Sequence, residues 1–261
     1  MPDEMTILDG IVICSHFKKG TGNIVYSNSK KCNLHLDEEN VVYTTPFDPL
    51  SWNENGNRLY ETGVDHGTLY VITSNGSYGI GVAWNGLVSV TKTPSGAEAT
   101  NIYADNVKYL ELRSIEEFGG TIEAYTYPEE FAECDGSLGL IPGVFFGQQS
   151  RKPFGFSFRS VIGNDIKKES FGYKLHLVYG ATVAPSERSY TTSNDSPEIT
   201  TFSWDFTTTP IALAGYRPIS CLTVDSTKID PEKLTILENI LYGVSEAPRL
   251  PLPSEVISIL S

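Results

Sequence analysis

Apolar and polar residues alternate with period two over several short stretches, the signature of β-strands that bury one face. Phe154, Phe156 and Phe158 stand opposite Ser157 and Arg159. Tyr173, Leu175, Leu177 and Tyr179 stand opposite Lys174 and His176, and Phe202, Trp204 and Phe206 opposite Ser203, Asp205 and Thr207. Each of these strands is expected to have one dry face and one that meets solvent. Further strands are expected from Thr68 to Thr73, Val82 to Val90, Val107 to Arg113, Thr121 to Tyr127 and Ser220 to Val224. The set suffices for two packed sheets, so the fold class is mainly β, a sandwich or barrel.

One helix is marked at both ends. Asp230 caps it, Pro231 suits its first position, and Glu232 complements the positive end of the dipole. Leu234, Leu237, Ile240 and Leu241 recur at helical spacing and Gly243 stops it, which predicts a helix of about 231–242 lying on a sheet. Shorter helical turns are expected from Glu129 to Cys134 and from Ser254 to Leu260. Between the strands lie long segments rich in Gly, Ser, Asn and Pro, at 94–106, 135–153 and 184–198, and loops of that length in a compact domain usually have a task. Within 135–153 the residues Leu138, Leu140, Ile141, Val144, Phe145 and Phe146 give an apolar content that needs a partner surface, either the loop's own domain or another subunit. Residues 1–48 read as an arm or small subdomain with short β-like pieces at Ile11 to Cys14 and Asn23 to Tyr26. A linker at Pro46 and Pro49 follows, and the main domain is 49–261.

Charge changes the picture. Nineteen Lys and Arg against 32 Asp and Glu leave a net charge of -13, which disfavours an electrostatic nucleic-acid binder but suits a surface that DNA must slide past. The longest apolar run is four residues, so no membrane-spanning helix is expected, and the acidic N-terminus has no secretory pattern. Cys14, Cys32, Cys134 and Cys221 are too dispersed for a zinc site and read as free thiols. Chemistry is hard to find. Glu116-Glu117 and Glu129-Glu130 are adjacent pairs whose side chains diverge. His66 sits in a turn, His176 on the polar face of a strand, and Gly79-Ile80-Gly81-Val82-Ala83-Trp84 lacks the third glycine of a dinucleotide loop. No catalytic residue, cofactor site or metal site is assigned, and the protein is not expected to be an enzyme.

From Trp52 to about Leu260 the chain resembles the major tail tube proteins of long-tailed, non-contractile (siphovirus-type) bacteriophages. The resemblance is carried by Arg58 to Val64, Tyr78 to Leu87, Pro94 to Glu98, Tyr103 to Asn106, Glu123 to Gly136, Gly147 to Gln149, Gly163 to Asp165, Gly172 to His176, Ala184 to Glu187, Asn194 to Pro197 and the helix after Asp230. Residues 1–48 have no counterpart in it. The resemblance implies a tail-tube β-sandwich with a flanking helix, and hexameric rings stacked into a tube that conducts DNA into the host. It also implies contacts with copies of itself, a tape measure protein and tail-end proteins, and a place in the virion tail after synthesis in the host cytoplasm. In such an assembly Leu138 to Phe146 are candidates for inter-subunit contact, and Glu111, Glu123 and Asp205 for acidic positions facing the lumen. A β-sandwich adhesion module that binds glycan is the alternative reading.

Overall fold

The computed structural model describes residues 58–261, apart from 97, 191, 193–198 and 245, together with the backbone of four strands nearer the N-terminus. The chain divides into two units, Met1–Arg58 and Leu59–Ser261. In the first, β1 (Met5–Leu8) pairs with β2 (Ile11–Cys14) and β3 (Cys32–Leu36) with β4 (Val42–Pro46), both antiparallel. The β-like piece expected at residues 23–26, the linker at Pro49 and the segment 194–197 lie outside the described residues.

The second unit contains β5 (Tyr60–Val71), β6 (Val82–Trp84), β7 (Leu87–Lys92), β8 (Ser95–Gly96), β9 (Ala99–Ala104), β10 (Val107–Arg113), β11 (Glu116–Glu117) and β12 (Gly119–Ala124). After these come α1 (Phe131–Cys134), β13 (Leu138–Ile141), β14 (Val144–Phe146), β15 (Phe154–Asn164), β16 (Lys168–Val183), β17 (Phe202–Thr208), β18 (Cys221–Asp225), α2 (Pro231–Tyr242) and α3 (Pro253–Leu260). One antiparallel sheet runs β6-β5-β15-β16-β17-β12-β7, and β18 pairs with β16 beside that path. The long strand β16 makes this possible by giving one edge first to β18, at Lys174 to Val178, and then to β17, at Ala181 to Val183. Gly180 lies between the two pairings with φ +61, where a Cβ would sit 2.4 Å from the Thr209 carbonyl oxygen. Only glycine fits that bend. The sheet folds over on itself as a sandwich, and no ladder among the described residues closes it into a barrel.

Two cores result. Inside the sandwich Leu69, Ile122, Phe154, Phe156, Trp204 and Phe206 pack together, and α1 drives Phe131 between Trp84 (ring centroids 4.5 Å apart), Trp204 (5.0 Å) and Phe154 (5.5 Å). On the other side of the same sheet, Tyr70, Leu175, Leu177 and Tyr179 meet Leu234, Leu237 and Leu241 of α2 and Val256 of α3. Hydrogen bonds fix this cover in place. Tyr70 donates to the Leu241 carbonyl (2.8 Å), Tyr179 to that of Pro251 (3.0 Å), and Tyr173 to Glu238 Oε1 (2.6 Å). The central strands are therefore dry on both faces, which corrects the expectation of a solvent-facing side on β15 and β16: Ser157 and His176 are buried. The helix stacked on the sheet has the expected bounds, with Asp230 accepting from the Glu232 amide (2.9 Å) and Gly243 left-handed at its end.

Three further expectations change. The strand from Val82 to Val90 breaks at Asn85-Gly86, where Gly86 takes φ +79 and the chain passes from β6 at one end of the sheet path to β7 at the other. Segment 94–106 is not a loop but contains β8 and β9, and segment 135–153 contains the β13–β14 hairpin, turned by Pro142-Gly143 with Gly143 at φ +84.

Candidate functional site

Strands β12 and β17 bury Ile122, Trp204 and Phe206, and β7 packs the half-buried Val90 against them. Strand alternation then sends Ser89 and Thr91, Thr121 and Glu123, and Ser203, Asp205 and Thr207 to the opposite face. The register aligns them in rows. Ser89 lies across from Glu123 and Glu123 from Ser203; Thr91 lies across from Thr121 and Thr121 from Asp205. Within the rows Ser89 donates to Glu123 Oε2 (2.8 Å) and Thr121 to Asp205 Oδ1 (2.6 Å). The surface is thus a band of hydroxyls and carboxylates, with each carboxylate accepting a hydrogen bond from a neighbouring hydroxyl. Lys92, at the end of β7, is out of phase with the band and carries its ammonium to His176 Nδ1 (2.8 Å). A face of this chemistry offers phosphate no cation and presents it with fixed negative charge.

Two of the three acidic positions singled out in the sequence, Glu123 and Asp205, share this face. Glu111 stands apart, on β10, where Lys108 and Arg113 (2.8 Å) flank its carboxylate and hold its pKa below the usual range. Strands β9 and β10 form a ribbon of their own, turned by Asp105-Asn106 with both residues at positive φ, and β8–β11 continues it toward the main sheet. Tyr103, Tyr109 and Leu112 are exposed along the ribbon, and Ile115 near its base is 82% exposed. The six apolar residues of the β13–β14 hairpin, Leu138, Leu140, Ile141, Val144, Phe145 and Phe146, are all 42–63% exposed. Among the described residues, both hairpins leave these apolar side chains exposed.

His176 is buried, stacks on Phe158 (4.6 Å), and lies 2.9 Å from Ser160 Oγ through Nε2 and 2.8 Å from Lys92 Nζ through Nδ1. An ammonium only donates, so Nδ1 accepts and Nε2 carries the proton that Ser160 receives. That tautomer cannot deprotonate Ser160, and the pair is no nucleophile and base. Burial, then the Lys92 charge, push the His176 pKa down to about 4. Burial raises both described thiols, Cys134 to about 12, and among the described residues no group of three His, Cys, Asp or Glu side chains is placed to hold a metal. No described helix is long and apolar enough to cross a membrane.

The strand expected from Val107 to Arg113 is β10; what sequence reading missed is its partner β9, and Asp105-Asn106 between Tyr103 and Val107 was the available turn signal. No family model and no curated protein matches the chain. Among solved structures it is similar to a chain from the cryo-EM structure of the anti-feeding prophage (AFP) baseplate, 6-fold symmetrised. The identity is 10%, the match covers 69% of this chain and 100% of that one, and the TM-score is 0.35.

Proposed function

We propose that this protein is a non-enzymatic structural subunit of a phage tail tube, assembling with copies of itself into stacked six-membered rings around a channel for DNA. The observation that carries the reading is the band of hydroxyls and carboxylates on β7, β12 and β17. In a channel, such a surface lets a polyanion pass without sticking, and it gives the chain's net charge of -13 a use. The exposed apolar ribbon and hairpin support it, because patches of this kind are costly on a monomer and ordinary at contacts between subunits. The sequence resemblance to tail tube proteins supplies the ring and the tube. On this reading the tape measure protein and the tail-end proteins are its other partners, and the virion tail its location.

Electron microscopy of the purified full chain tests it. Rings or tubes with a central channel are the expected result. A monomer at every concentration, with affinity for sugars on a glycan array, overturns the reading in favour of an adhesion module.

A further inference from the structure

A cleft of about 520 Å³ opens between α1, the β13–β14 hairpin and the segment before β6. Its walls are apolar: Val82, Phe145 and Ile80, the last 68% exposed. Its lip is acidic, with Glu129, Glu130 and Glu133, and the one cation in the lining, Lys152, is taken by Glu133 at 2.5 Å. Glu129 and Glu130 are exposed, and their carboxylates have no hydrogen bond or ion pair with any described residue. A surface that places bare hydrophobics beside unpaired carboxylates is matched by a segment that is apolar and cationic at once.

The chain has such a segment. Between Asp205 and Asp225 the one charged residue is Arg217. It is exposed and makes no hydrogen bond or ion pair with a described residue, whereas Arg159, Lys174, Arg188 and Arg249 are all ion-paired within the chain. Beside it Tyr216 is 75% exposed. The loop that carries them is already shaped. Ile211 and Ile219 exchange backbone hydrogen bonds at its base (2.8 and 2.9 Å), Thr209 donates to the Gly180 carbonyl (2.9 Å), and Tyr216 donates to that of Leu213 (3.1 Å) across Gly215. Little backbone order remains to be imposed on binding, and Tyr and Arg are the residue types that dominate the energy of protein interfaces.

Building on the self-assembly reading above, we infer that the Tyr216-Arg217 tip of one copy seats in the cleft between α1 and the β13–β14 hairpin of a second copy. The Tyr216 ring lies against Ile80 and Phe145, and the Arg217 guanidinium meets Glu129 and Glu130. Tip and cleft are different surfaces, so the contact is heterologous and repeats from copy to copy, as a ring or tube requires.

The test is reciprocal charge reversal in the full-length protein. Arg217→Glu alone, and Glu129→Arg with Glu130→Arg together, should each raise the concentration needed for assembly about tenfold or more while leaving the monomer's circular dichroism and melting temperature unchanged. An equimolar mixture of the two variants should assemble at close to the wild-type concentration, because each supplies the surface the other now needs. If the mixture stays apart, or if Arg217→Glu assembles normally while the cleft variant does not, the tip is not the occupant; the second pattern assigns the cleft to another segment or a tail-end protein. A wild-type protein that never assembles overturns the self-assembly reading itself, and this contact with it.

Discussion

Single residues carry more of this structure than their chemistry suggests. At Gly180 a side chain would meet the Thr209 carbonyl oxygen at 2.4 Å with φ at +61, so Gly180→Ala combines a clash with left-handed strain. It should cost about 2 kcal/mol or more in urea denaturation, against a few tenths for Gly147→Ala, whose added Cβ meets nothing within 4 Å. His176 gives a pH-dependent counterpart. Its folded pKa of about 4 lies below the ordinary histidine value of 6.5, so the unfolded chain binds the extra proton first. The resulting stability is present in full above about pH 6.5 and is lost as pH falls toward 4. Lys92 opposes protonation, Glu61 favours it, and Lys174 opposes it more weakly, while carboxylates elsewhere titrate in the same window. The measurement is therefore a difference: stability of wild type minus that of His176→Gln should rise between pH 4 and 6.5. A flat difference would show that the imidazole is protonated in the fold.

At the level of elements, legibility followed how local the physics was. Helix α2 was readable to the residue because its cap, its Pro231, its leucine spacing and its Gly243 all lie within one stretch of chain. The strands were readable as strands, but their exposure was not. Tyr173, Leu175 and Leu177 announce one dry face of β16, whereas nothing near His176 in sequence says that Phe158, Ser160, Lys92 and Thr223 will close over the other. The candidate acids show the same limit: alternation marks Glu123 and Asp205 as polar-facing, yet only the register of β12 on β17 puts them on a common surface. Of the β9–β10 ribbon, β10 is legible as the strand expected from Val107 to Arg113, whereas β9 falls in the segment read as a loop, because it packs on no core and without a core there is no clean alternation to read. A two-stranded ribbon outside the main sheet is marginally stable alone. In the unassembled subunit it should be the first site nicked by limited proteolysis, near Lys108 or Arg113 with trypsin, and assembled tubes should protect it. Equal cleavage in subunits and tubes would place the ribbon outside every subunit contact.

At the scale of the whole molecule, the proposed tube raises the question of which way the hydroxyl and carboxylate face of β7, β12 and β17 would point in it. Duplex DNA carries a charge every ~1.7 Å along its axis, so a single cation per subunit, repeated along a tube, adds up to a large and salt-sensitive drag. Asp205 is the informative position, since it is exposed and its one side-chain partner among the described residues is Thr121, so a lysine there changes charge without opening the core. Phage carrying Asp205→Lys should build tails of normal length and eject DNA more slowly at low ionic strength, with the rate recovering as salt screens the contacts. Glu169→Lys, the same charge change at an exposed position near the start of β16, controls for net charge alone. If both variants eject at the wild-type rate in low salt, the face lies on the outside of the tube and DNA passes along another surface. If only Asp205→Lys is slowed, the band that Ser89, Thr121, Glu123 and Asp205 form by strand register is the wall of the channel.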